Sequence, residues 1–254
     1  GHARTALYAR YSLAGALSAA VGALAAALPP WLAAHAGVPL ETGLRAMFAL
    51  YGVIGALVWW LYRRLPAPAR SADAAPAPLG PSRPIVIRLA ALFSIDAFAG
   101  GLVVNALLAL WLFERFGLSL GQAGLFFFTT GLLSAGSQLA AAPVARRFGL
   151  LNTMVYTHIP SSLCLIGAAF APALPLALGL LFVRSALSQM DVPTRTAFVM
   201  AVVTPAERTA AASFTTVPRS LAAAASPALA GAWFAAGWLA APLVACGGLK
   251  IAYD

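Results

Sequence analysis

Eight stretches of this chain are long and apolar enough to cross a bilayer, and that fact constrains the fold more than any motif does. They run over Ser12–Ala34, Ala46–Tyr62, Leu89–Phe113, Gln122–Ala145, Thr153–Ala171, Leu174–Val203, Ala210–Phe234 and from Trp238 to the last residue. A helix needs about 20 apolar residues to span a hydrocarbon layer about 30 Å thick. Of the 254 residues only 9% are charged and 61% are apolar, against about 25% charged in a soluble domain. So few charges cannot cover a water-facing surface, which excludes a soluble enzyme, a nucleic-acid module and a disordered chain. The expected fold class is therefore an all-α polytopic membrane protein of about eight transmembrane helices, with the lipid bilayer as its first partner.

The net charge of +9 is read as orientation rather than affinity for a polyanion. Placing the polar break Arg63–Arg88 in the cytoplasm and alternating the spans puts Arg4, Arg10, Arg63, Arg64, Arg70, Arg83, Arg88, Arg146, Arg147 and Arg208 inside. Only Arg45 and Arg115 fall outside, as the positive-inside rule requires. Trp31, Trp111, Trp233 and Trp238 then lie at the outer interface, and Trp59, Trp60 and Tyr62 at the inner one, the positions of an aromatic belt. The break carries Pro66, Pro68, Pro76, Pro78, Pro81 and Pro84 and reads as an extended linker. Fifteen Arg to one Lys, with heavy Ala use, suggests a bacterial inner membrane. The start, Gly1-His2-Ala3-Arg4, lacks an initiator Met and runs into an apolar stretch too long for a signal peptide, so the chain reads as part of a longer protein. Cys164 and Cys246 sit in apolar runs and are expected to pack. No cluster has metal-ligand spacing and no cofactor is expected.

The order of spans is two, a long linker, then six. Ser12-Leu13-Ala14 with Ser18 recurs as Ser220-Leu221-Ala222 with Ser226, which aligns the first and seventh spans as members of two repeats. The segment Ala142-Pro143-Val144-Ala145-Arg146-Arg147-Phe148-Gly149-Leu150 resembles the loop motif G-x-L-A-D-R-x-G-R of the major facilitator superfamily. Arg147 and Gly149 match it, while Ala142, Arg146 and Leu150 depart from it. Asp191-Val192-Pro193-Thr194-Arg195, with Thr204 through Ala211, is similar to the tenth helix and following loop of drug-efflux-like members, and Arg184 takes the place of an Arg on the equivalent helix of the family's first half. The resemblance covers essentially the whole chain as helices five to twelve of twelve. It implies that residues 1–65 end the first six-helix half, 66–88 form the cytoplasmic linker, and 89–254 form the second half, cut within its last helix. The missing N-terminal helices would then be partners.

Charges at bilayer depth cost about 2.5–3.5 kcal/mol each even on the lenient insertion scale, so each needs a reason. Arg184, Ser188, Asp191 and Arg195 are spaced 4, 3 and 4 and share one helical face. They form either a proton-linked switch or an internal lock between helices. Asp96 is the second candidate, read either as a proton-coupling carboxyl or as a static partner of Arg184, Arg195 or Arg219. Asn105, nine residues on, shares its path only if Gly100-Gly101 breaks the helix. Gln138, Ser188 and Gln189 are candidates for the substrate path, with interhelical hydrogen bonding as the alternative. His158, near a helix start, is expected to be incidental, as are His2 and His35. Lys250 and Asp254, one turn apart, fall inside the membrane unless Lys250 snorkels to an interface.

The resemblance implies a secondary transporter that moves a small-molecule substrate by alternating access, with proton-coupled efflux as the expected mode. One alternative is the membrane subunit of an ATP-driven permease, which needs a separate ATPase because the chain has no GxxxxGK[ST] loop. The other is a membrane-embedded enzyme, for which no HExxH, GxSxG or paired catalytic residues appear.

Overall fold

A computed structural model describes residues 2–65, 78–190, 199 and 202–254. Among these residues the secondary structure is helical throughout. The elements are α1 (His2–Ala25), α2 (Leu28–Ala36), α3 (Leu40–Arg63), α4 (Arg83–Gly101), α5 (Asn105–Phe116), α6 (Leu120–Phe148), α7 (Leu150–Ala169), α8 (Leu174–Ser188), a 3₁₀ turn (Pro205–Glu207), α9 (Arg208–Ala235) and α10 (Ala241–Tyr253). Four segments are long and apolar enough to cross a membrane by length and composition: Ala14–Ala36, Leu40–Arg63, Arg83–Phe116 and Leu120–Phe148. The expected run Leu174–Val203 is helical to Ser188, with Gln189 as its C-cap.

Local chemistry explains the ends. Ser119 and Gln122 form a reciprocal capping box at the start of α6: the Gln122 N–H donates to Ser119 Oγ at 3.3 Å and the Ser119 N–H to Gln122 Oε1 at 2.9 Å. Gly149, with φ 87° and ψ 157°, is the single residue between α6 and α7. That backbone region is open essentially only to glycine, which gives the Gly of the loop motif its reason. Proline in the first turn lets α4 begin at Arg83 rather than at Leu89, because the missing N–H would have no helical partner there.

Helices α4 to α10 form one bundle. α9 lies along α4, α7 packs against α8 and α10, and α6 packs against α8; α1 lies on α6. Two apolar cores sit at opposite ends. At the linker end are Val86, Leu89, Phe93, Val199, Val203 and Ala211. At the far end are Ala99, Leu102, Trp111, Leu112, Leu165, Leu181, Ala230, Leu243 and Cys246. Trp111 is therefore a core residue and not an interface anchor, because its ring stands edge-on to Phe116 inside the far core. Trp31, Trp59, Trp60 and Trp238 are exposed, as anchors would be. Arg63 and Arg64 lie over the rings of Trp59 and Trp60, at 4.7 Å and 3.8 Å, and concentrate charge and aromatic surface at one end of α3.

Close helix approach rests on small residues. A Cβ on Gly131 would meet Ala20 Cβ at 2.9 Å, and one on Gly124 would meet the Ala23 carbonyl at 2.9 Å, so α1 and α6 touch backbone to backbone. Gly101 faces Ser226 and Ala223 of α9, and Gly247 of α10 faces Ile166 and the Ser162 carbonyl of α7. At the linker end the Glu207 carboxylate clasps the start of α4. It accepts the N–H of Gly80, the N–H of Ser82 at 3.1 Å and the hydroxyl of Thr204 at 2.9 Å, while Ser82 Oγ accepts the Thr204 N–H at 3.3 Å. The Ser82 hydroxyl first, then the Gly80 N–H, hold the Glu207 carboxyl below its ordinary range against the opposing effect of burial.

This packing has two measurable consequences. A methyl on Gly101 would sit on Ser226 Oγ and within 2.8 Å of the Ala223 carbonyl, so Gly101→Ala should lower stability by about 1–3 kcal/mol, read as the unfolding midpoint in detergent. Because the folded Glu207 carboxyl titrates below its unfolded value, its stabilisation is full above the unfolded value and is lost as pH falls through the folded one. The melting temperature of wild type should therefore exceed that of Glu207→Gln at pH 7. The gap should close only as pH drops below about 4; a gap constant down to pH 3 would show that the clasp does not act through its charge.

Candidate functional site

Between the two cores lies a polar layer, and the chain builds it at the same depth on several helices. On α4, Asp96 stands between Phe93 of one core and Ala99 of the other. On α7, His158, Ser161 and Ser162 precede the core residue Leu165. On α8, Arg184, Ser185 and Ser188 follow Leu181, and on α10, Lys250 and Asp254 follow Cys246. The i, i+3 and i+4 spacings keep each set on one face.

Four of these side chains form a continuous chain of contacts. Lys250 Nζ donates to Asp96 Oδ1 at 2.6 Å and lies 3.2 Å from His158 Nε2. His158 Nδ1 is 2.7 Å from Asp254 Oδ2. Asp96, His158 and Asp254 side chains are at most 6% exposed and Lys250 is 15% exposed. An ammonium group can only donate, so with Lys250 charged His158 accepts at Nε2 and carries its proton on Nδ1, from which it donates to Asp254. Tyr253 stands edge-on to the imidazole at 6.2 Å. His158 is thus not incidental: it is buried, and Lys250 and Asp254 at the end of α10 engage both of its nitrogens. Lys250 does not snorkel, because Asp96 and His158 draw it inward.

The pair opens onto a cavity of about 530 Å³ whose walls include Asp96, His158, Ser161, Ser162, Arg184, Ser188, Gln189, Arg219 and Lys250. A smaller cavity of about 260 Å³ is lined by Ala20 and Ala23 of α1, Asn105, Phe126, Phe127 and Thr130, and again by Arg184, Ser188 and Gln189. The α8 face is therefore a shared wall. The described part of the expected stripe, Arg184 and Ser188, lies on it as the spacing requires; Asp191 and Arg195 fall outside the described residues. Asp96 and Asn105 reach neighbouring cavities because α4 ends at Gly101 and α5 starts afresh at Asn105. Gln138 lines neither cavity, and Arg146 and Arg147 are exposed at the end of α6, where Arg147 lies over the Phe148 ring at 5.5 Å.

Hydroxyls tie the layer together. Ser161 donates to the Arg184 carbonyl at 3.4 Å and Ser134 to the Ser185 carbonyl at 3.5 Å, which ties α7 and α6 to α8 near its end. Ser162 Oγ, on the cavity wall, is buried without a hydrogen-bond partner, a state that costs about 1–3 kcal/mol until a partner arrives. The sequence carries a signal for the residues that the span-by-span reading passes over. Thr157, His158, Ser161 and Ser162 make one polar face on an apolar helix, and Lys250 and Asp254 make an i, i+4 pair.

Breaking a buried ion pair from one side costs about 3–5 kcal/mol, whereas removing both charges is close to neutral. Asp96→Asn and Lys250→Met should each destabilise the protein by that order, and the double variant by clearly less than their sum. Additive losses in a thermal double-mutant cycle would show that the two side chains do not act as a pair.

No curated protein matches the chain. The family model described as Major Facilitator Superfamily matches residues 1–227. That span takes in the helices of both cavities up to most of α9, and it agrees with a multi-pass all-α bundle with apolar, membrane-length helices. The alternatives of an ATP-driven permease subunit and of a membrane-embedded enzyme find no comparable support, since this is a family of secondary transporters. The chain belongs to the Major Facilitator Superfamily.

Proposed function

We propose that this transporter couples substrate movement to protons through Asp96, and that it works as an exporter by alternating access about the two cavities. The observation that carries the reading is the buried 2.6 Å contact between Asp96 and Lys250 on the wall of the larger cavity, continued through His158 to Asp254. A proton arriving at Asp96 removes the carboxylate that holds Lys250 and leaves an ammonium group in a low-dielectric site. That loss is about 3–5 kcal/mol. Driving a two-state equilibrium from 1:99 to 99:1 takes about 5.5 kcal/mol, so one such pair is of the right size to shift the halves. His158 offers the released ammonium a neutral acceptor, and Asp254 fixes the imidazole tautomer that does so.

The small-residue contact of α1 with α6 supports the moving part of this reading. Ala20, Ala23, Gly124 and Gly131 let the two backbones approach closely, which leaves a smooth surface between α1 and α6 at these points. The wide exposure of α3 supports lipid and further helices of the same protein as its neighbours. In this reading the linker faces the cytoplasm of a bacterial cell, and no nucleic acid is involved.

The test is transport by the full-length protein in oriented liposomes under an imposed pH gradient. Wild type should move substrate outward against its gradient when protons flow in. Asp96→Asn should keep substrate exchange at equal concentrations on both sides and lose gradient-driven accumulation by at least tenfold. Proton-driven accumulation that survives in Asp96→Asn would overturn the assignment, and dependence on ATP with the proton gradient collapsed would replace the mode of coupling.

A further inference from the structure

The charges on the cavity wall are unequal in a way that proton coupling does not use. Among the described residues three cations, Arg184, Arg219 and Lys250, face the larger cavity against one carboxylate, Asp96. Asp96 is engaged by Lys250 at 2.6 Å, and His158 turns its N–H away toward Asp254. Among the described residues neither Arg184 nor Arg219 has a carboxylate partner. Hydrogen-bonding capacity is also left over, for Ser162 Oγ is buried on the same wall with no partner. Among the described charged groups Arg184 alone lines both cavities, and the smaller one adds the rings of Phe126 and Phe127.

We propose that the site takes a small organic anion, a monocarboxylate with an apolar body, whose carboxylate docks on Arg184 while the body lies toward Phe126 and Phe127. This rests on the reading of the cavities as the substrate path. A guanidinium presents a planar fork that matches a carboxylate with two parallel hydrogen bonds, which an ammonium group cannot do. A carboxylate there supplies a counter-charge for Arg184 inside the bundle. Arg219 adds a second cation at the wall, and Ser162 and Ser188 add hydroxyls. A cationic substrate would meet three like charges, and the described acid on this wall, Asp96, is already engaged by Lys250. A neutral one would supply no counter-ion to the guanidinium.

The experiment is equilibrium binding of radiolabelled benzoate to the purified full-length protein in phosphatidylcholine nanodiscs, with no proton gradient. Benzamide and benzylamine serve as competitors that keep the ring and change the charge. Saturable benzoate binding that unlabelled benzoate displaces at least tenfold better than either competitor is the expected result. Arg184→Gln should weaken it at least tenfold, Arg184→Lys less, and Arg219→Gln measurably, while Arg45→Gln on the exposed Glu41 pair leaves it unchanged. If Arg184→Gln does not fold, the charge series on wild type and Arg219→Gln decide. Equal competition by benzylamine or benzamide, or unchanged affinity in a folded Arg184→Gln, would overturn the proposal. So would displacement of benzoate by nanodiscs containing phosphatidylglycerol, which would assign the cations to a lipid headgroup. Binding needs no gradient, so loss of proton coupling in the liposome assay leaves this result standing, and loss of charge selectivity leaves coupling standing.

Discussion

The contact between Asp96 and Lys250 is the constraint around which the bundle is arranged. Each charge alone is expensive at bilayer depth, and each is tolerable only while the other is within hydrogen-bond reach. That reach fixes the distance between α4 and α10, and small residues supply the means. Gly247 lets α10 press onto α7 at Ile166, and Gly101 lets α4 press onto α9 at Ser226. With bulkier residues at these contacts the two helices would stand apart and the pair would face hydrocarbon.

The polar layer also explains where the helices end. α4 stops at Gly101 and α8 at Ser188, both beside the cavities. An interrupted helix inside a bilayer exposes carbonyls that lipid cannot satisfy, so interruption is tolerated only where protein or water can serve them. Near the end of α8, Ser161 and Ser134 donate to its Arg184 and Ser185 carbonyls from two different helices. The breaks, the cavities and the serines are thus one feature, and the apolar cores above and below hold its edges in place.

The fold is largely legible in the sequence because hydrocarbon is a simple solvent. Apolar length sets the spans, and Gly149 and Pro84 mark turns and starts for steric reasons visible in the residue types. Asp96 and Arg184 are legible as candidate sites because a charge in an apolar run must be paired, hydrated or put to use. Pairing is what the sequence does not display. Span order points Asp96 toward arginines on nearby helices, and nothing in it points to Lys250, 154 positions away, which also pairs with Asp96. Nothing local distinguishes one buried cation from another, since the choice depends on which helices a handful of glycines allow to touch. His158 is hidden for a related reason. A lone histidine near a helix start looks like a surface residue until the packing of α10 across α7 buries it. Trp111 shows the reverse, since its place near a span end says nothing of the core that closes over it.

The division of labour among the cations follows from their chemistry. Lysine carries a compact charge on a flexible stem, suited to a partner it must release, and its two contacts, Asp96 and the imidazole of His158, differ in charge by one. Arginine keeps its charge at any pH a cell provides, which makes Arg184 unsuited to a proton switch and suited to a fixed docking point. On the proposed reading, placing the two types on different helices of one cavity separates the group that changes state from the group that does not. A bound anion and a protonated Asp96 then have opposite effects on the same local field, one adding negative charge and the other removing it. Each alters the free energy of the other through that field alone, with no contact required between them.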